Sequence, residues 1–169
     1  NKITFNGARD TEITNTLIST GIIPSRKFDI IGLEGAFNWN QLSFQGEYAF
    51  TDVNRDGTTN GQLDSFYIQG TWYLTGENRH YSPKKGVITR FKPKENFDWK
   101  KNWSKGKGLG AFQLAARYSE LDLNDRSAGI NGGEQKSLTL GLNWELNRMS
   151  RIMYNYVHAD FTSGTGTDN

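Results

Sequence analysis

The chain has 169 residues, no cysteine, 20 basic and 18 acidic side chains, and a formal net charge of +2. That excludes disulfides, thiolate chemistry and finger-type zinc sites, and with only His80 and His158 there is little material for histidine-based catalysis. Mean hydropathy is −0.69 and no run of 18 apolar residues offers a transmembrane helix, yet 5 Trp, 7 Tyr and 10 Phe are too many for a disordered chain.

A transmembrane β-barrel satisfies those bounds, because only alternate residues of its strands meet lipid. The apolar period is two along almost the whole chain. Residues 2–8 are a short run that reads as the end of a strand, and 9–27 as a long loop. In 28–39, Ile31, Leu33, Phe37 and Trp39 share one face while Ile30, Glu34 and Asn38 take the other. A tight turn leads into 42–52, with Leu42, Phe44, Tyr48 and Phe50 against Ser43, Gln45 and Glu47. After the polar loop 53–62, the strand 63–75 sets Phe66, Ile68, Trp72 and Leu74 on one side. Three more follow at 109–123, 136–147 and 150–162, separated by the loop 124–135 and a short turn. His158 falls on the apolar face of the last strand, near its end, where a structural role is expected.

These seven segments are mostly about 10–13 residues long, where globular strands run about five or six and a tilted membrane-crossing strand needs about 9–11. Trp39, Trp72 and Trp144 fall near strand ends, as an interfacial girdle requires. The expected fold is therefore all-β, an antiparallel transmembrane barrel. Loop parity places 9–27, 53–62 and 124–135 at one end and the long segment 76–108 at the other, the end of the short turns.

Segment 76–108 holds ten of the 20 basic residues against Glu77, Glu95 and Asp98, a local charge of +7, while the remainder of the chain carries −5. Such a cluster in a narrow, low-dielectric passage is an anion filter. On a surface it is a solvated loop, or one that bridges lipid phosphates. The interleaved Phe91, Phe97, Trp99 and Trp103 also permit a nucleic-acid reading. On the polar strand faces stand Glu34, Glu47, Arg117 and Glu145. Paired carboxylates on such a face can be glycosidase machinery, but wall charges in a wet lumen account for them equally, and no nucleophile–base pair or metal constellation is legible. DVNRDG at 52–57 has part of a calcium-loop pattern without flanking helices and reads as a turn.

Several ordered fragments resemble the phosphate-selective porin O/P family: TLISTG (16–21), LSFQGEYAF (42–50), SFYIQGTWYLTGENRHY (65–81), FQLAARYSELDLND (112–125), GLNWELN (141–147) and MYNYVHADF (153–161). The resemblance implies a bacterial outer-membrane barrel of roughly 16 strands, commonly trimeric and passing anions, with residues 1–169 as about seven strands from its C-terminal half. The expected function is a passive diffusion channel, not an enzyme, favouring small anions such as phosphate. The constriction candidates are Arg79, Lys84, Lys85, Arg90, Lys92, Lys94 and Arg117. The expected partners are outer-membrane lipid, small inorganic anions and further copies of the chain in a homotrimer, with no cofactor, metal or nucleic acid. The alternative is a weakly conducting or non-conducting barrel that docks as a subunit of an envelope complex.

Overall fold

The computed structural model describes residues 2–7, 18–78, 81–82, 87–88, 92–101 and 103–164. Six long strands form one antiparallel sheet: β5 (Lys27–Trp39), β6 (Leu42–Asn54), β7 (Gly61–Tyr73), β10 (Ala111–Asp125), β11 (Ile130–Glu145) and β12 (Arg151–Ser163). Their spatial order is β12-β11-β10-β7-β6-β5, so every strand pairs with its sequence neighbour among these six. Short strands β1 (Lys2–Ile3), β2 (Asn6–Gly7), β3 (Ile18–Ser19) and β4 (Ile23–Pro24) precede the sheet, and β8 (Tyr81–Ser82) and β9 (Val87–Ile88) form a small hairpin between β7 and β10.

Register settles which side chains share a face. Leu33 lies opposite Tyr48, Phe37 opposite Phe44, Leu42 opposite Trp72, Leu114 opposite both Trp72 and Leu142, and Leu140 opposite Tyr156. These residues make the outward face, and Leu140 on the interior strand β11 stays 46% exposed because lipid, not protein, is its solvent. The alternate positions carry Ser43, Gln45 and Glu47 on β6, Tyr67, Gln69 and Thr71 on β7, and Gln113, Arg117 and Ser119 on β10. They make the inward face.

At the turn end, Asn40 adopts φ 50, which an asparagine tolerates better than most residues, and the two-residue turn Asn40–Gln41 closes β5 onto β6. At the opposite end, the strands outrun the roughly 9–11 residues needed to cross a bilayer. The polar stretches expected as loops at 53–62 and 124–135 therefore continue the ladder. Only 55–60 and 126–129 lie outside strands there. Polarity marks where lipid ends, not where pairing ends.

The expected strand over 2–8 is not a seventh member of the sheet. Instead β1 pairs with β4 and β2 with β3, making a strap. Its apolar residues lie on the inward face at the loop end, where Ile18, Ile23, Val53, Leu63, Leu123 and Ile130 form a buried cluster with Ile3, Phe5 and Leu121 against it. Between Asp122 and Asn124 the register advances two residues on β10 but three on β11, and this bulge turns the even-numbered Ile130 inward to join Leu123 in that cluster. Gly7 is required there: a Cβ would stand 2.7 Å from Ile18 Cγ1 and 2.9 Å from Leu121 Cδ2. The sheet is thus apolar outward in the lipid band and apolar inward beneath the strap.

Candidate functional site

Inward side chains at mid-strand bound a polar pocket of about 350 Å³, lined by Asn6 and Gly7 of the strap and by Glu47, Ser65, Tyr67, Arg117, Ser119 and Gln135 among others. The guanidinium carbon of Arg117 lies 4.1 Å from the centre of the Tyr67 ring. The Tyr67 hydroxyl accepts a hydrogen bond of 2.8 Å from Gln45 Nε2, which fixes the ring under the cation. Arg117 Nε is buried with no hydrogen-bond partner, and no described carboxylate makes a salt bridge to Arg117. An arginine held on an aromatic ring keeps its charge and presents donors to whatever enters the pocket. Glu34 and Glu47 face each other across β5 and β6 on the same side of the sheet.

Arg117 stands where its sequence position predicts. Tyr67 escaped sequence reading because an aromatic on the polar face gives no signal of its own; the clue was its odd-numbered place among Ser65, Gln69 and Thr71.

The other candidates belong to the basic segment at the turn end. Arg79, Lys84, Lys85 and Arg90 lie outside the described residues. Lys92 and Lys94 are exposed. Lys94 donates its backbone N–H to Glu77 Oε1 at 3.3 Å, and the Thr75 hydroxyl donates to the other oxygen of the same buried carboxylate. Thr75 Oγ1 in turn accepts the Phe112 N–H at 3.0 Å. These bonds tie the segment to the ends of β7 and β10. Arg117 sits five residues along β10 from Phe112, about 17 Å at about 3.4 Å per residue, so Lys92 and Lys94 are not brought beside it. Inward Ser43, Tyr73, Ala111 and Gln113, at the turn end, are all buried, as is Pro93.

The later part of the segment has its own anchor. Phe97 packs edge-on against Trp144 at 5.1 Å, and Trp144 stacks on Phe112 at 5.4 Å. Phe97 N–H donates to Leu146 O at 2.7 Å. Glu95 accepts the Gly108 N–H at 3.0 Å and approaches Lys101 Nζ at 3.6 Å; that backbone bond first, and the ammonium second, hold its carboxyl below the usual carboxylate range.

The family model for phosphate-selective porin O and P matches residues 1–168. The chain belongs to that family. A Caulobacter vibrioides protein without an assigned role is 30% identical over 149 residues, covering 88% of this chain and 28% of that protein. Porin O of Pseudomonas aeruginosa is 27% identical over 181 residues, covering 99% of this chain and 36% of that protein. The chain thus spans about a third of the length of the curated relatives it matches. Family and fold place it in the bacterial outer membrane, as part of a porin wall whose edge strands β5 and β12 need neighbours to close in lipid.

Proposed function

We propose that the barrel to which residues 1–169 contribute is a passive diffusion channel favouring small anions such as phosphate. Arg117 and the basic residues Arg79, Lys84, Lys85, Arg90, Lys92 and Lys94 supply its positive field. The observation that carries this reading is the inward Arg117, laid on Tyr67 in a polar pocket with no described carboxylate bonded to it. The burial of Ser43, Tyr73, Ala111 and Gln113 supports a cover over the lumen at the turn end, beside the segment that carries +7. An anion is drawn in by that field, exchanges part of its hydration shell for donors on the wall, and leaves because each contact is weak.

The test is the reversal potential of the full-length parent porin in a planar bilayer under a KCl gradient, then with phosphate added. Anion preference and phosphate block support the filter. Replacing Arg117 by Glu changes the local charge by two units. At about 7 Å and a dielectric near 80 each unit is worth roughly 0.6 kcal/mol, so the anion is disfavoured roughly seven-fold, the cation is favoured by as much, and the anion-to-cation permeability ratio should fall roughly fifty-fold. Cation preference in the wild type overturns the reading. Absence of conductance does so too, and transfers the basic segment to the docking alternative.

A further inference from the structure

Outward aromatic residues do not stop at the end of the wall. Phe112 and Trp144 close the outward row on β10 and β11, Phe97 packs edge-on against Trp144, and Trp103 lies 5.6 Å from Phe97. This run of four rings leads from the lipid-facing surface directly onto the segment 92–108. Two further features give that segment a fixed, sticky surface. The Trp103 indole donates to Asp98 O at 3.0 Å, and Gly108, at φ 71, lets the chain double back so closely that a Cβ would stand 2.7 Å from Asp98 O. Even so, Trp103 remains 47% exposed and Trp99 74%.

Lysines surround these rings. Lys100 Nζ lies 5.8 Å from the Trp99 ring centre, and Lys105 ends the short helical turn that begins at Trp103. The local carboxylates are already engaged: Glu95 with Gly108 N–H and Lys101, Asp98 with the backbone N–H of Lys100. No described carboxylate forms a salt bridge to Lys100, Lys105 or Lys107.

We propose that residues 97–107 are a lipid-headgroup platform. Trp99 and Trp103 insert at the interface while Lys100, Lys105 and Lys107 bind the phosphates of anionic glycerophospholipids in the leaflet at the turn end. Continuity with the lipid-facing row sets the level: a surface that begins on Phe112 and Trp144 lies where the hydrocarbon gives way to headgroups. Charge complementarity sets the partner, since exposed lysines beside exposed indoles suit an anionic membrane surface. A free inorganic phosphate lacks the chain that would meet the indoles.

The experiment uses the full-length parent porin in nanodiscs of mixed phosphatidylglycerol and phosphatidylcholine, with co-purified lipid counted by native mass spectrometry. Wild type should retain phosphatidylglycerol over phosphatidylcholine by roughly a hundredfold at low salt, since each of the three lysines near an anionic surface contributes about five-fold. K100E/K105E/K107E should bring that ratio to near one, and the uncharged change W99A/W103A should lower total retained lipid with ion selectivity intact. Heat-modifiable gel migration checks folding, and K100Q/K105Q/K107Q substitutes if the reversal variant fails to fold. An unchanged ratio in a folded triple variant overturns the proposal. So does displacement of the retained phosphatidylglycerol by an equal concentration of inorganic phosphate, which would assign the lysines to the free ion.

Discussion

Truncating Ile18 to Ala should release the strap without unfolding the wall. Ile18 is fully buried among Ile23, Val53, Leu63, Leu123 and Ile130. Removing its outer carbons from so enclosed a site costs about 3 kcal/mol, within the usual range of about 2–5. The strap has further ties in the β1–β4 and β2–β3 ladders and in Phe5, set edge-on to Phe28 with ring centres 6.3 Å apart. Thr20 N–H donates to Phe5 O and Phe5 N–H to Thr20 Oγ1, each at 3.0 Å, and Ser19 reaches Asn6 at 2.7 Å. A strap held mainly by that cluster should open separately from the wall, and losing about 3 kcal/mol then raises its open population roughly a hundredfold. Amide hydrogen exchange of the full-length porin in micelles reads this directly. The Phe5 and Thr20 amides should exchange about a hundred times faster in the variant, while amides of β10 and β11 at mid-strand keep their rates. Unchanged exchange at Phe5 and Thr20 would refute the claim that the buried cluster holds the strap. Equal acceleration in β10 would show that strap and wall are one cooperative unit.

Three further outcomes follow from the same geometry. Leu140→Arg, on the outward face, should destabilise membrane folding by about 2–4 kcal/mol, whereas its inward neighbour Thr139→Arg should cost less than about 1, as measured by urea titration in lipid vesicles. Tyr67→Ala should lower anion preference through loss of the ring beneath Arg117, worth about 0.5–1 kcal/mol and read as a shift in reversal potential toward the Arg117→Glu value. Glu95 titrates at a lowered pKa in the folded state, so its contribution is fully present above the ordinary carboxylate range and is lost as pH falls through the lowered value. Tryptophan emission from the Trp103–Trp144 region should change over that acid range in the wild type. In Glu95→Gln this acid step should vanish.

The wall was legible in the sequence because lipid imposes one demand on every outward position. Phe44, Ile68, Leu114 and Leu142 alternate with polar neighbours for that reason, and Arg117 could be placed inward by counting alone. What failed was the inference from alternation to membership of the sheet. Ile3 and Phe5 also alternate, but the surface they cover is the inward face of the wall, and nothing local says which apolar partner a two-residue period serves. Leu63 and Leu123 carried the matching signal, apolar residues on what should have been the polar side, whereas Ile130 lay in an expected loop and reaches that side only through the shift in register. The charge of 76–108 was equally plain from composition. Its attachment through Phe97 to Trp144, and through Lys94 to Glu77, depends on residues about 50 and 17 positions apart, a separation that sequence spacing does not convey.

The reversal of polarity along β7 also acts as a depth gauge. Within a few residues the strand passes from Ile68 and Phe66 pointing outward to Leu63 pointing inward, and the outward face beyond carries Asp64, with Glu120, Lys136 and Asp160 on the neighbouring strands. Sinking the barrel by one outward position would draw those charges toward hydrocarbon, with a cost that climbs toward about 2–4 kcal/mol for a basic residue at the midplane and less for each acidic one. Lifting it would strip lipid from the apolar row above Trp72 and Trp144. The wall is therefore positioned along the membrane normal by its own side chains, and a thinner or thicker bilayer has to adjust around it at a modest cost per ångström of mismatch.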